Sequence, residues 1–306
     1  MNLVSILMSC PDVADLPRIA VELSRWQHDR GYLQLHPGDL GWHSLAGAEK
    51  TAADLRLWSR DGAIVALGLL DGPQVLRMAL DPAAYDDDEL ARRICSDVHH
   101  PDAGVLPAGE AVIEARGAHV LRRFLSDEGW VVDESWTPFQ YELSGPIDQD
   151  RIVRTGIRVE VVGLDQAEAW VTVHWSAFKG TPFEDVDKRR LLQRWDAMVE
   201  GPFGHLARHL IAFDRKDDAV AVTTVWNAGV GRPGLIEPMG VHRDHRGHGY
   251  GVAMTLAGAA ASRDMGSSSV MVAAENSNAG AVATYAAAGF TPHEPVADLK
   301  RPARDE

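Results

Sequence analysis

The chain repeats one pattern at a nearly constant spacing. Leu80-Asp81-Pro82 closes an apolar run, and Val241-His242-Arg243 closes another 161 residues later. Gly129-Trp130 ends an amphipathic stretch, and Gly289-Phe290 ends another 160 residues later. Two correspondences at almost the same offset indicate a duplicated unit of about 150 residues. A chain of 306 residues has room for two such units. In both halves strand-like runs alternate with helix-like ones, which is the α/β class. Gly145-Pro146 reads as the linker, so the expected domains are 1–148 and 149–306.

Hydrophobic patterning supplies the elements. The first half predicts a strand over Leu3–Met8, a helix over Asp12–His28, and a hairpin turning at Arg60-Asp61-Gly62. A strand at Gln74–Leu80, a helix at Asp86–Ile94, a strand at Glu110–Glu114, a helix at Ala118–Glu128 and a strand at Trp136–Leu143 follow. The second half predicts a strand at Arg158–Val162 and helices at Asp165–Phe178 and Val186–Glu200. Strands at Ala207–Asp214, Ala219–Asn227 and Leu235–Val241 come next. Then come a helix at Gly249–Met265, a strand at Ser268–Val272, a helix at Asn278–Ala288 and a last strand from Phe290.

Composition removes several functions. Thirty basic against 44 acidic side chains give a net charge of -14, which disfavours partners that are nucleic acid or an anionic membrane. Two cysteines without CxxC spacing exclude a disulfide framework and a cysteine-based zinc site. The apolar start has no basic flank and no run is long enough to span a bilayer, so the expected location is the cytoplasm. His242, His245 and His248 recur every three residues in an arginine-rich turn, and no metal is expected there.

The stretch Val241-His-Arg-Asp-His-Arg-Gly-His-Gly-Tyr-Gly251 carries the chemistry. A strand ends, a turn rich in glycine and arginine follows, and a small-residue helix begins. Glycines permit close approach and positive φ. Free N–H groups at a helix start attract phosphate. The turn therefore reads as a pyrophosphate cradle, with Arg246 adding charge. It lacks the Lys-Ser/Thr ending of a nucleotide-hydrolysing loop and a clear GxGxxG.

Arg246-x-x-Gly249-x-Gly251 resembles the acyl-CoA-binding signature of the GCN5-related N-acetyltransferase (GNAT) superfamily. Asn278, Ala281, Val282, Tyr285, Gly289 and Phe290 resemble that superfamily's N-x-x-A-V-x-x-Y-x-x-x-G-F ending. The explicit likeness covers about residues 207–292; residues 155–206 fit by layout alone. The layout resembles tandem acetyltransferases of the mycothiol-synthase type. The resemblance implies two tandem GNAT folds, each a mixed, mostly antiparallel twisted sheet flanked by helices. It implies acetyl-CoA as the donor, held by Met239, Val241, Arg246, Gly247, His248, Gly249, Tyr250, Gly251 and Asn278. Asn278 also reads as a helix cap.

The same likeness puts Tyr285 where the family has its catalytic acid, with sheet packing as the other reading. Glu237, a lone carboxylate in an apolar strand, is the candidate base, with solvent or a purely structural carboxylate as alternatives. Pro238 beside it marks a bulge or an edge. His174, Trp175, Phe178, Phe183 and Glu184 are expected to line the acceptor pocket, or else to pack in the core.

At the same offsets the first half has Tyr85, Asp88 and Leu90 opposite Arg246, Gly249 and Gly251, and Ala118 and Leu125 opposite Asn278 and Tyr285. The run Asp86-Asp87-Asp88-Glu89 would repel pyrophosphate. The first half is therefore expected to keep the shape and lack the cradle. The expected activity is transfer of an acetyl group to a primary amine of a small molecule in a ternary complex, by a monomer or homodimer. Acetylation of protein lysines or N-termini, and a non-catalytic acyl-CoA-binding module, are the alternatives.

Overall fold

The structure is a computed structural model that describes residues 5–163 and 165–303. In chain order the elements begin with β1 (Leu7–Ser9), α1 (Leu16–Arg25), α2 (Pro37–His43), α3 (Ala48–Asp54), β2 (Leu55–Arg60), β3 (Ala63–Leu70) and β4 (Val75–Leu80). Next come α4 (Asp88–His99), β5 (Ala111–Glu114), α5 (His119–Asp127), β6 (Val131–Glu142), α6 (Gln149–Thr155), β7 (Arg158–Val161), α7 (Ala167–Phe178) and α8 (Asp185–Val199). The last are β8 (Ala207–Phe213), β9 (Ala219–Trp226), β10 (Gly234–Val241), α9 (Tyr250–Asp264), β11 (Ser269–Glu275), α10 (Ala279–Ala287), β12 (Thr291–Pro292) and β13 (Val296–Arg301).

The chain divides into two compact units. The first holds residues 1–36, 48–136 and 295–306; the second holds 37–47 and 137–294. The division falls at Trp136/Thr137, not at the expected 148/149, and each unit borrows a segment from the other half of the sequence. The reason lies in strand pairing. Residues 139–140 of β6 pair with β12, whereas residues 131–136 of the same strand pair with β13.

In the first unit the strands run β1-β2-β3-β4-β5-β13-β6, antiparallel except for β4 beside β5. The β2–β3 turn is the predicted hairpin; Asp61 and Gly62 both take positive φ, 50° and 80°, as a two-residue hairpin turn requires. Its core joins Trp58, Leu76, Ile94, Ile113, Leu125 and Leu299 among others. In the second unit the order is β6-β11-β10-β9-β8-β7, antiparallel in β10–β9–β8–β7 and parallel between β10 and β11. Its core lies around Val225, Ile236, Met254, Val272 and Phe290. The alanine-rich α9 buries nine residues, because small side chains let a helix sit close on the sheet.

Several expectations change in detail. The predicted Asp12–His28 helix is a 3-10 turn at Val13–Asp15 followed by α1, which stops at Arg25. Most of the predicted Leu3–Met8 strand lies outside the described residues or is not strand; pairing covers Leu7–Ser9. The helices α2, α3 and α6 and the returning strand β13 were not anticipated.

The internal repeat holds down to single dihedral angles. A 3-10 turn follows β4 at Pro82–Ala84 and β10 at Arg243–His245, 161 residues apart. Their caps are Asp81 (φ -52°, ψ 127°) and His242 (φ -50°, ψ 133°), and each side chain accepts from the N–H two residues on. The caps of α5 and α10 also match: Ala118 at φ -81°, ψ 67° and Asn278 at φ -85°, ψ 71°. Both helices end at a left-handed glycine, Gly129 at φ 89° and Gly289 at φ 88°. The next N–H reaches back at 3.0 Å from Trp130 to Leu125 O and at 3.1 Å from Phe290 to Tyr285 O, a Schellman closure.

Candidate active site

β10 and β11 pair only at Gly234↔Val270 and Leu235↔Met271. Both strands continue, β10 to Val241 and β11 to Glu275, so the sheet opens between them. Pro238 has no N–H to give a ladder, and the β10–β9 register shifts between Ile236 and Met239, at the expected bulge. The Glu237–Pro238 peptide is cis. Side chains take up the local carbonyls: Trp226 Nε1 donates to Glu237 O at 2.7 Å, and Thr223 Oγ1 to Pro238 O at 2.9 Å. Glu237, Met239 and Val241 are half-buried at alternate positions, with Pro238 and Gly240 buried between them.

The turn after β10 ends at Gly249, which takes φ 80° and leaves α9 without a side-chain cap. Gly247 takes φ 82°, and a Cβ there would meet nothing within 4 Å. These glycines answer to backbone conformation, not to crowding. The first-turn amides of α9 have no acceptor within the helix and lie at the positive end of its dipole. Amides in that position can accept phosphate oxygens as partners. His248 folds back so that Nδ1 donates to Arg246 O at 2.9 Å, and its ring stacks on Tyr250 with centroids 5.5 Å apart.

Arg246 is exposed, and its Nη2 donates to Ala177 O at 2.9 Å. Arg243, which the sequence reading passed over, does more in the same direction. Its guanidinium donates to Ser176 O at 2.9 Å and Gly180 O at 3.1 Å. Both arginines thus engage the negative end of α7. Two arginines in one turn signalled a bound anion; nothing in the sequence marked the helix end that they also hold.

Tyr285 is buried 5.6 Å from the Phe139 ring and 6.4 Å from Phe290. Among the described residues its hydroxyl has no hydrogen-bond partner. Burial, and next the charge of Glu237, push its pKa well above the usual phenol range. Glu237 and Tyr285 therefore address the same region. Asn278 caps α10, its Oδ1 accepting from Ala281 N at 3.1 Å.

The five expected acceptor residues fall into two groups. His174 stacks on Trp170 at 5.3 Å and meets Phe178 at 4.8 Å and Trp42 at 5.3 Å. Phe178 reaches β10; a Cβ on Gly240 would come within 2.9 Å of its ring. Trp175 instead stacks on Phe183 at 4.7 Å and donates to Thr181 O at 3.0 Å. Exposed Glu184 precedes α8 and makes no capping bond. Among the described residues no ring contact joins the two groups. Burial drives the His174 pKa down to about 4, and that of His209 likewise to about 4. Both rings are neutral at pH 7. Trp42, Trp195 and His209 join this cluster without having been foreseen. Trp42 comes from the 37–47 segment, whose Gly38 and Gly41 lie flat against Trp226.

The first unit opens in the same way, because β4 and β5 pair only from Val75↔Val112 to Arg77↔Glu114. Here the chain itself fills the opening. Leu35 N donates to Met78 O at 3.1 Å. The Gln34 amide accepts from Leu80 N at 3.1 Å and donates to Leu80 O at 3.3 Å. Tyr32 presses on Gly117, and its hydroxyl lies 2.8 Å from His119 Nε2. At the start of α4 the Asp87 carboxylate accepts from Glu89 N and Leu90 N at 3.0 and 2.9 Å. An internal anion thus occupies the amides where phosphate would bind. Among the described residues no cluster of three or more His, Cys, Asp or Glu side chains is placed to hold a metal, and no helix is long and apolar enough to cross a membrane.

Residues 167–290 match the family model Acetyltransferase (GNAT) family. A mycothiol acetyltransferase from Parafrankia sp. (strain EAN1pec) is 30% identical over 161 residues, 48% of this chain and 50% of that protein. The chain thus matches about half the length of that curated relative. Among solved structures, a tandem GNAT protein from the clavulanic acid biosynthesis pathway superposes over 99% of this chain and 100% of its own, with TM-score 0.62 and 14% identity. A GNAT-family acetyltransferase from Colwellia psychrerythraea covers 98% and 100%, with TM-score 0.61 and 13% identity. At these identities the structural likeness establishes the fold, an α/β tandem-GNAT architecture.

Proposed function

Given a GNAT domain at residues 167–290, we infer that the chain is an acetyl-CoA-dependent N-acetyltransferase whose second unit does the chemistry and whose acceptor is a small-molecule amine. One observation carries this reading: β10 and β11 part after Leu235↔Met271 beside a helix N-terminus without a side-chain cap. The positive-φ glycines and the uncapped amides of α9 fit a pyrophosphate group, and Met239 and Val241 border the opening that would take the rest of the cofactor. Acetyl-CoA, when bound, supplies an activated acetyl thioester.

The residues around the opening divide the proton work. An amine reacts only as the free base, and Glu237 is the carboxylate to take the ammonium proton, directly or through a water. Backbone N–H groups of the Met239–Val241 segment are the candidates for stabilising negative charge on the carbonyl oxygen. Tyr285 is protonated at neutral pH, as any phenol is, and its raised pKa makes it a weaker acid still. Full proton transfer from such a phenol to a thiolate is uphill, thiols having a pKa of about 8.5. Its O–H therefore stabilises the departing sulfur mainly as a hydrogen-bond donor. His174, Phe178 and Trp42 supply an apolar, uncharged wall for the amine's body.

The decisive experiment is a thiol-release screen with acetyl-, propionyl- and succinyl-CoA against small amines and lysine peptides. Release with a small amine and not with peptides is expected. Tight CoA binding with no release from any amine would leave a binding module. Tyr285→Phe should lower kcat by about 100-fold with little change in acetyl-CoA affinity. Unimpaired turnover would reduce Tyr285 to packing.

A further inference from the structure

The first unit holds a group of buried charges that acetyl transfer does not use. Arg116, just after β5, is 6% exposed. Its Nη2 lies 3.5 Å from Glu114 Oε2 and 3.7 Å from Asp298 Oδ1, while its Nε is buried without a hydrogen-bond partner. Its guanidinium sits over the Trp136 ring at 5.8 Å, and the Trp136 Nε1 is likewise buried without a partner. Arg122, on α5, completes the group. Among the described residues no carboxylate lies within ion-pair distance of it, and its Nη1 is buried and unpartnered. Burial lowers its pKa most; Asp298 attracts it and Arg116 repels it.

Three N–H donors from separate elements thus lack an acceptor in one neighbourhood, and one carboxyl oxygen there, Asp298 Oδ1, also lacks a hydrogen-bond partner. Orphaned buried donors are rare, and each is costly if left unmet. The charge is also unbalanced. Glu114 is shared with Arg77, whose Nε donates to it at 3.2 Å and whose Nη1 also pairs with Asp71 at 3.5 Å. Burial and Glu114 raise the pKa of Asp298 to about 7, so near neutrality it is only partly charged. A water could accept these hydrogen bonds, but it would not offset the excess of guanidinium charge in a low-dielectric site. An oxyanion does both, and guanidinium groups suit it by geometry. Among the described residues nothing equivalent occurs in the second unit, where the positions of Arg116 and Arg122 are held by Asn276 and Val282 at the 160-residue offset. The cluster is therefore not a remnant of a duplicated cofactor cradle.

We propose that the first unit binds a small oxyanion, a carboxylate or a phosphate, on Arg116 Nε, Arg122 Nη1 and Trp136 Nε1. None of these residues belongs to the acetyltransfer opening, and the ligand is an effector or a structural ion.

Titration calorimetry on the full chain tests it, with inorganic phosphate in one arm and acetate in the other. Arg246→Glu provides a background in which the α9 cradle cannot compete for the anion. Trp136→Phe keeps the ring under Arg116 and deletes only the N–H; Arg122→Gln deletes the charge. At least one anion should bind at one site per chain in Arg246→Glu, and the arm that responds identifies the ligand class. Adding Trp136→Phe or Arg122→Gln to that background should weaken binding at least tenfold. Trp136→Phe suffices should Arg122→Gln not fold. The proposal is overturned by no binding of either anion, by binding that Arg246→Glu abolishes, or by binding that Trp136→Phe leaves unchanged. Water alone between Arg116, Arg122 and Trp136 in a phosphate-soaked crystal would overturn it too.

Discussion

The two units share a backbone and differ in what stands inside it. The cap of the 3-10 turn after each opening strand, the cap of α5 or α10 and the glycine closure after it agree within a few degrees, whereas the caps of α4 and α9 do not: Asp87 is extended and Gly249 left-handed. Yet in one unit the chain inserts Tyr32, Gln34 and Leu35 into the opening and puts the Asp87 carboxylate on the helix amides. In the other, Gly249 leaves the corresponding helix without a side-chain cap. The first unit thus meets from within the hydrogen-bonding needs that the proposed cofactor would meet in the second. The demand for satisfied polar groups stays constant, and only the supplier changes.

The comparison breaks most sharply at Arg246. Arg246→Glu should weaken CoA binding by on the order of 100-fold, and titration calorimetry on the parent chain should show one CoA per chain. Two equal sites would mean that the first unit still binds cofactor. Gln34→Ala should destabilise the first unit by about 1–3 kcal/mol, because Leu80 N and O lose their partner, without altering CoA affinity; denaturant unfolding reads the first effect and titration the second. A second CoA site appearing in that variant would show that the filled opening is merely blocked.

The smallest effect is expected at Asp87. Asp87→Ala removes a cap worth about 1 kcal/mol. The hydrogen-bonded Arg60 guanidinium holds the Asp87 carboxyl below its usual range. Its contribution is therefore complete above the unfolded pKa of about 3.9 and is lost as pH falls through the lower folded value. Thermal melts of the variant and the parent should differ at pH 7 and converge in strong acid. A gap that persists unchanged in acid would assign the cap to something other than the carboxylate.

Much of this was legible in the sequence because it rests on local rules. The glycines at 247, 249, 129 and 289 announce backbone that only glycine adopts readily, and Pro238 announces a broken ladder. The Asp86–Glu89 run marked the first cradle as hostile to phosphate, although not which carboxylate sits on the amides. Non-local contacts were hidden. Neither Gln34 nor Tyr32 carries a local sign that it inserts beside β4, more than forty residues on in the sequence. Trp42 does not reveal that its segment folds with the second unit. The family resemblance groups the acceptor residues in one pocket. Successive side chains of α7 point about 100° apart, so His174 and Trp175 have different neighbours.

The returning strand β13 has a consequence for the order of events during synthesis. Its residues 299–301 pair with β5 and its residues 296–300 with β6, so the first unit's sheet has a gap between those strands until residues 296–301 have left the ribosome. The second unit needs only residues up to 294, including the early 37–47 segment. The half of the gene made first is therefore the half that finishes folding last. A chain cut after residue 294 would leave β5 and β6 each with an open edge, the form of exposure that most invites pairing with another chain.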